Sequence, residues 1–352
     1  MWDSVSDTTL AALFGLFGGT LLGLAARMGQ FCTLGAIEDA FYQNSSVRLR
    51  AWGVAIGVAI IGSFGLMAFG ALNAEEVVYL SFTWNPLASI IGGLLFGYGM
   101  AMAGNCGFGA LARLGGGDIR SFLIVLVMGI SAYVTLSGPL AALRVMLFPT
   151  GAVNGPVLPG VAHWLEANLG GSATLFGLGI GVLILAGALS SRALLRRPKT
   201  LFWGAVVGVA IVTGWAGTGW IAANGFSALP VESHTFSAPL GDSIIYLMTS
   251  SGNTLNFGVG SVAGVLLGAF IGSLFRGHFR WEACEDPREL RRQIMGAAIM
   301  GVGAVIAFGC TIGQGVSAFS VLSYGAPVAF LSIIAGAAFG LRQLIIGFAA
   351  IE

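Results

Sequence analysis

The chain has 352 residues, 56% of them hydrophobic and 9% charged, with a mean hydropathy of +0.89 and a formal net charge of +1. A soluble domain carries about a quarter charged residues, so water is excluded as the solvent for most of this surface, and the near-neutral balance gives no footing for a nucleic-acid partner. Glycine, at 56 residues, is the other outlier; it follows no collagen period, and in a membrane chain it lets helices approach closely and lets backbone break at depth.

Residues 1–9 are polar and lack the basic stretch of a secretory signal, so the apolar run after them is expected to be a retained first span. Runs near the ~20 residues a crossing needs fall at 10–28, 51–72, 86–104, 121–141, 172–190, 201–221, 254–275, 293–309 and 326–349. About nine crossings are therefore expected, with short or re-entrant helices at 146–162 and 240–250. Basic residues gather in alternate connections: Arg48 and Arg50, Arg113 and Arg120, Arg192 to Lys199, and Arg276 to Arg292. Glu75, Glu76, Glu166 and Glu232 lie in the others. Positive residues mark the cytoplasmic side, which puts the N-terminus outside and the chain in a bacterial inner membrane. Arg144 alone falls on the wrong side.

A short pattern recurs along the chain. Gly97-x-Gly99-x3-Ala103-x2-Cys106-x2-Gly109 returns as Gly301-x-Gly303-x3-Ala307-x2-Cys310-x2-Gly313 and as Gly23-x-Ala25-x3-Gly29-x2-Cys32-x2-Gly35. A fourth copy, Gly208-x-Ala210-x3-Gly214-x2-Gly217, has glycine in place of cysteine. The arginine count runs the first two marked spans inward and the last two outward. The reading is an all-α polytopic membrane protein, about nine transmembrane helices plus short re-entrant helical loops, built as two inverted repeats. Residues 1–199 and 200–352 form the halves of one integral membrane domain, a plan that places sites near the bilayer midplane.

Small-residue turns and helix-capable pieces follow each cysteine, at 33–41, 107–114 and 311–319. Broken backbone at membrane depth must be buried in protein or line a cavity. Each cysteine would sit near a short-helix N-terminus, where free N–H groups favour an anion. The competing reading is that glycine and cysteine merely permit tight helix packing. The four cysteines form no CxxC pair, and His163, His234 and His278 lie in loops or at span edges, so neither a metal site nor a cofactor is expected. Arg27 could draw an anion inward or snorkel to the interface. Asn105, Gln30 and Gln314 could donate to an oxyanion or cap broken backbone. Glu38 and Asp39 read as a solvated edge, and Cys284, in a charged loop outside the repeats, as a bystander.

The segments GLAARMGQFCTLGAIEDA, FGYGMAMAGNCGFGALARLG and GVGAVIAFGCTIGQGVSAFS resemble the YeeE/YedE family of bacterial membrane proteins, over essentially the whole chain. The resemblance implies uptake of thiosulfate past Cys32, Cys106 and Cys310, and a TusA-like sulfur carrier on the cytoplasmic side, encoded separately because the chain ends at Glu352 directly after its last span. Some relatives are tied to selenium compounds. The chemistry fits: a dianion at the bilayer centre needs donors in place of water, and a polarizable, protonated thiol suits a soft sulfur atom. Three weak sites in series permit passage without trapping. No span carries an obvious carboxylate relay. Against a carrier stand an intramembrane thiol oxidoreductase, which needs cysteines with Cα atoms under about 7 Å apart, and a docking scaffold working through Arg288, Arg291 and Arg292. The expectation is a carrier and not an enzyme.

Overall fold

The computed structural model describes residues 6–349 other than 154, 156 and 283–285. One arrangement recurs four times: a long helix, a break, a short helical piece and a second long helix. It comprises α1 Asp7–Met28, α2 Thr33–Tyr42 and α3 Val47–Ala68, then α4 Pro86–Ala103, α5 Gly107–Gly115 and α6 Ile119–Leu136. Four helices follow: α7 Ala141–Leu147, α8 Val161–Leu169, α9 Ala173–Leu189 and α10 Arg192–Leu195. The arrangement resumes with α11 Pro198–Asn224, α12 Ala238–Thr249 and α13 Phe257–Arg276. It ends with α14 Pro287–Ile306, a π-helical turn over Gly313–Ala318 and α15 Gly325–Ala349.

Among the described residues seven helical segments are long and apolar enough to cross a bilayer, which makes this an all-α polytopic membrane protein. They account for seven of the nine expected spans. The run at 172–190 becomes α9, one residue short of that length. The run at 293–309 becomes α14, whose first turns carry Arg288, Glu289, Arg291 and Arg292. At ~1.5 Å per residue α14 is still about 30 Å long. The stretch at 240–250 is helical as α12, whereas 146–162 is mainly irregular chain between α7 and α8.

The fourth sequence copy does not mark a break. Gly208, Gly214 and Gly217 lie inside the uninterrupted α11, and a Cβ at Gly217 would strike the Phe14 ring at 2.4 Å. Those small residues serve packing, and a buried glycine is tolerated in a helix for about 1 kcal/mol. The break comes later, at 225–237, and the cap of the following short helix is Ser237.

Helix packing is dominated by backbone approach. Gly15, Gly19 and Gly23 of α1 face Phe257, Ser261 and Val265 of α13, while Gly260, Gly264 and Gly268 face Ala12, Leu16 and Thr20 in return. Added Cβ atoms at these six positions would fall 2.0–2.3 Å from carbonyl oxygens of the partner helix. This is the small-residue packing that stands in for the hydrophobic effect in lipid. The contacts α1–α11, α1–α13 and α3–α11 recur as α4–α14, α4–α15 and α6–α14. Between the helices the short pieces meet in one core with Trp52, Trp215, Phe96 and Phe108 fully or almost fully buried.

Candidate functional site

Each cysteine follows a left-handed residue by two positions. Gln30 (φ 54°), Gly104 (φ 74°) and Phe308 (φ 59°) turn the chain out of α1, α4 and α14. Only glycine adopts this geometry without strain, so two of the three turns hold a side chain against its preference. Gln314 helps hold one of them: its Nε2 donates to Ala307 O and Phe308 O, both at 2.9 Å. The capping reading thus describes its amide nitrogen, while its Oε1 is buried with no hydrogen-bond partner among the described residues.

Past each turn the cysteine is the first residue outside the short helix. Cys106 Sγ accepts from Gly109 N at 3.3 Å, and Cys310 Sγ accepts from Gly313 N at 3.4 Å and Phe236 N at 3.2 Å. Sulfur here does what serine oxygen does at a helix start, and a protonated thiol has a weak S–H donor besides. Cys32 makes no such cap bond and is half-buried, whereas Cys106 and Cys310 are buried. Cys106 lies within electrostatic range of both other cysteines and beside the Thr311 hydroxyl. The three breaks therefore converge on one place in the core.

The glycine three residues after each cysteine leaves room for a polar group. A Cβ at Gly35 would meet Arg48 Nη1 at 2.6 Å, and one at Gly313 would meet Thr235 Oγ1 at 2.4 Å and Tyr79 Oη at 3.1 Å. At Gly109 it would make ordinary contact with Asn105 Oδ1 and Cys106 Sγ. Gly29 has a different office, ending α1 pressed against Trp203. Thr235 Oγ1 also stands 3.7 Å from Cys310 Sγ. Tyr79, in the α3–α4 connection, is buried; burial, reinforced by the neighbouring Cys310, holds its phenol above the ordinary range and keeps it a donor.

Two cavities reach this core from opposite ends of α4. The larger, about 650 Å³, takes in Gly104 and Asn105 at the end of α4, together with Cys32 and five arginines: Arg27, Arg48, Arg113, Arg276 and Arg280. Arg27 lines it, with its Nε donating to Ser273 Oγ at 2.7 Å. Asn105 is buried, lines the same cavity and forms no hydrogen bond with the described residues; the cap beside it is Cys106. Gln30 is exposed there. Glu38 also lines this cavity, so it is more than a solvated edge, and Asp39 pairs with Arg48 at 3.3 Å. The smaller cavity, about 280 Å³, lies at the Asn85 end of α4 and is lined by Tyr79, Phe82, Trp84, Phe308, Gln314 and Arg144.

Cys106 and Cys310 line neither cavity. They are packed in one buried core with a stack of Phe31, Trp52 and Phe330, centroids 4.7 and 5.3 Å apart, and the Phe108–Phe236 pair at 5.4 Å. The structure is closed in the middle. Among the described residues no three His, Cys, Asp or Glu side chains gather as a metal site requires.

Sequence reasoning missed several of these groups. Arg144, the exception to the charge pattern, lines the smaller cavity and was the one available signal of a cation there. Tyr79 and Thr235 come from connections with no motif of their own. Cys284 lies outside the described residues.

Comparison with known proteins gives the same direction. A family model described as Sulphur transport matches residues 28–339. The thiosulfate transporter TsuA of Spirochaeta thermophila is 26% identical over 330 residues, covering 90% of this chain and 95% of that protein. The thiosulfate transporter TsuA of Escherichia coli K12 is 26% identical over 353 residues, with 92% of each chain covered. A probable transporter YedE of Escherichia coli K12 is 31% identical over 111 residues, 32% of this chain and 25% of its own. These relatives are transporters and not enzymes.

Proposed function

We propose, from the premise that this chain belongs to the sulphur transport family, that it takes up thiosulfate or a related small sulfur anion through the closed core between its two cavities. The observation that carries this reading is the convergence of three separate helix breaks on Cys32, Cys106 and Cys310, two of them with sulfur capping the backbone. The relatives' names supply the substrate. In this reading the protein lies in the bacterial inner membrane with its N-terminus outside. The smaller cavity faces out, and the arginine-lined cavity faces the cytoplasm, in keeping with the positive-inside rule. In the same reading 1–199 and 200–352 are inverted repeats, each half holding two copies of the long helix, break, short piece and long helix.

An anion arriving outside meets Arg144 first. It then passes the aromatic lip formed by Tyr79 and Phe308, is handed from Cys310 to Cys106 to Cys32, and emerges among the arginines. The thiols act as neutral donors, each too weak to trap a dianion. A TusA-like carrier would meet the anion at the cytoplasmic cavity.

The test is labelled-thiosulfate uptake by purified protein in vesicles, with wild type, Cys284→Ala and the triple variant Cys32→Ala, Cys106→Ala, Cys310→Ala. Uptake is expected in the first two and not in the third. A triple variant that transports at the wild-type rate would end the thiol-path reading, and an inactive wild type would end the choice of substrate. Arg144→Gln is expected to raise the KM for thiosulfate about three- to tenfold, the weight of a charge in a wet cavity, and to flatten the salt dependence of uptake. A KM that does not move would remove Arg144 from the path.

A further inference from the structure

Two of the three cysteines are followed directly by threonine. Thr33 and Thr311 are buried, 3% and 0% exposed, and neither Oγ1 has a hydrogen-bond partner among the described residues. Such hydroxyls are unusual. A threonine in a helix ordinarily returns its proton to a carbonyl one turn back, as Thr20, Thr135, Thr218 and Thr249 do here at 2.6–2.9 Å. Thr33 and Thr311 open their short helices directly after a break, so no preceding helical turn supplies that acceptor. A buried hydroxyl with no partner costs stability, and valine, equal in shape, would avoid the cost. Following Cys310 in the chain, Thr311 brings its hydroxyl within reach of Cys106 Sγ, yet makes no hydrogen bond of normal geometry with it. Trp52, stacked on Phe31 next to Cys32, likewise has its indole N–H buried and unpartnered.

Resting on the uptake reading above, we propose that Thr33 and Thr311 are the substrate's oxygen ligands. Each threonine is the hard half of a two-part station whose soft half is a thiol. An anion that carries both a terminal sulfur and sulfonate-type oxygens satisfies both halves at once. An all-oxygen anion leaves the thiol without a soft partner, and hydrosulfide leaves the hydroxyl empty. The unmatched half is then a buried polar group without a partner, the arrangement by which binding sites discriminate most strongly. Selection among anions then arises inside the core, at the paired hydroxyl and thiol, and not at the arginine-lined mouth.

The experiment compares wild type, Thr311→Val, Thr311→Ser and Thr33→Val, purified and reconstituted, by thermal unfolding and by labelled-thiosulfate uptake. Thr311→Val is expected to unfold at the same temperature or higher, because it removes an unpaired hydroxyl. Its uptake should fall about tenfold, the ratio that one lost hydrogen bond of ordinary strength gives. Thr33→Val should behave alike, and Thr311→Ser should keep most of the wild-type rate. A valine variant that is stable and transports normally overturns the proposal. So does one that unfolds earlier, since the hydroxyl would then have a structural partner. An inactive wild type strikes instead at the uptake reading itself.

Discussion

Replacing Cys310 or Cys106 by alanine is expected to cut thiosulfate uptake about a hundredfold, and replacing Cys32 only about tenfold. The difference comes from burial. At Cys106 and Cys310, 1% and 0% exposed, no water stands ready to take the missing thiol's place. A hydrogen bond to a charged group is worth ~1.5–3 kcal/mol, and ~1.4 kcal/mol is a factor of ten. Cys32 lines the arginine cavity, where water can replace the lost donor. Stability should fall by ~1 kcal/mol at Cys106, the worth of the lost cap, and by more at Cys310, where Phe236 N also loses its acceptor. Serine at position 310 keeps the cap and offers oxygen in place of sulfur, so Cys310→Ser should match wild type in unfolding temperature while transporting poorly. Single-variant uptake at matched protein levels checks the order; equal losses at all three positions would mean that water does not reach Cys32.

The largest effect on folding is expected at the α1–α13 contact. Gly264→Leu would put a Cβ 2.3 Å from Leu16 O and 2.9 Å from Thr20 N. Both are backbone atoms of a helix, so no rotamer change relieves the clash, and the two helices must move apart along the whole glycine ladder. Inserting a few methylenes into an ordinary core costs ~1–3 kcal/mol; separating two backbones should exceed that range. The variant is expected to fail to accumulate as folded protein in detergent size-exclusion. Gly187→Leu, on a face of α9 with nothing within 4 Å, is the matched control and should be tolerated.

Much of the architecture was legible in the residues because lipid imposes a simple length rule and because a cysteine between glycines at the end of an apolar run is a conspicuous break. Two of the three expected short helices, 33–42 and 107–115, fall within a residue of their expected bounds at both ends, and the third has a π-helical turn over Gly313–Ala318. The fourth break was not legible. In a glycine-rich chain the same small residues serve a helix interior, as at Gly217, and a helix end, as at Gly104, and only the backbone angle separates them. Gln30 and Phe308 show the converse, since non-glycine side chains held left-handed give no sign of it in the sequence. Thr33 and Thr311 were hidden for a third reason: threonine at a helix start looks ordinary until its hydroxyl is seen to have no partner. Arg144 was visible as an exception to a charge rule, and the exception turned out to line a cavity.

The closed middle also has an electrical side. Two cavities separated by a packed core concentrate the membrane voltage across that core instead of spreading it over the full bilayer. Moving one charge through 100 mV costs ~2.3 kcal/mol, so a dianion entering an interior that is negative by that much works against ~4.6 kcal/mol, nearly all of it between Phe308 and Cys32. Left to equilibrate, such an anion would stand more than a thousandfold lower inside than out. Net inward flow through this protein thus depends on a cytoplasm that consumes the anion as fast as it emerges, in which case the rate should rise when the voltage is collapsed, or on cations that travel with it and cancel its charge, in which case it should not.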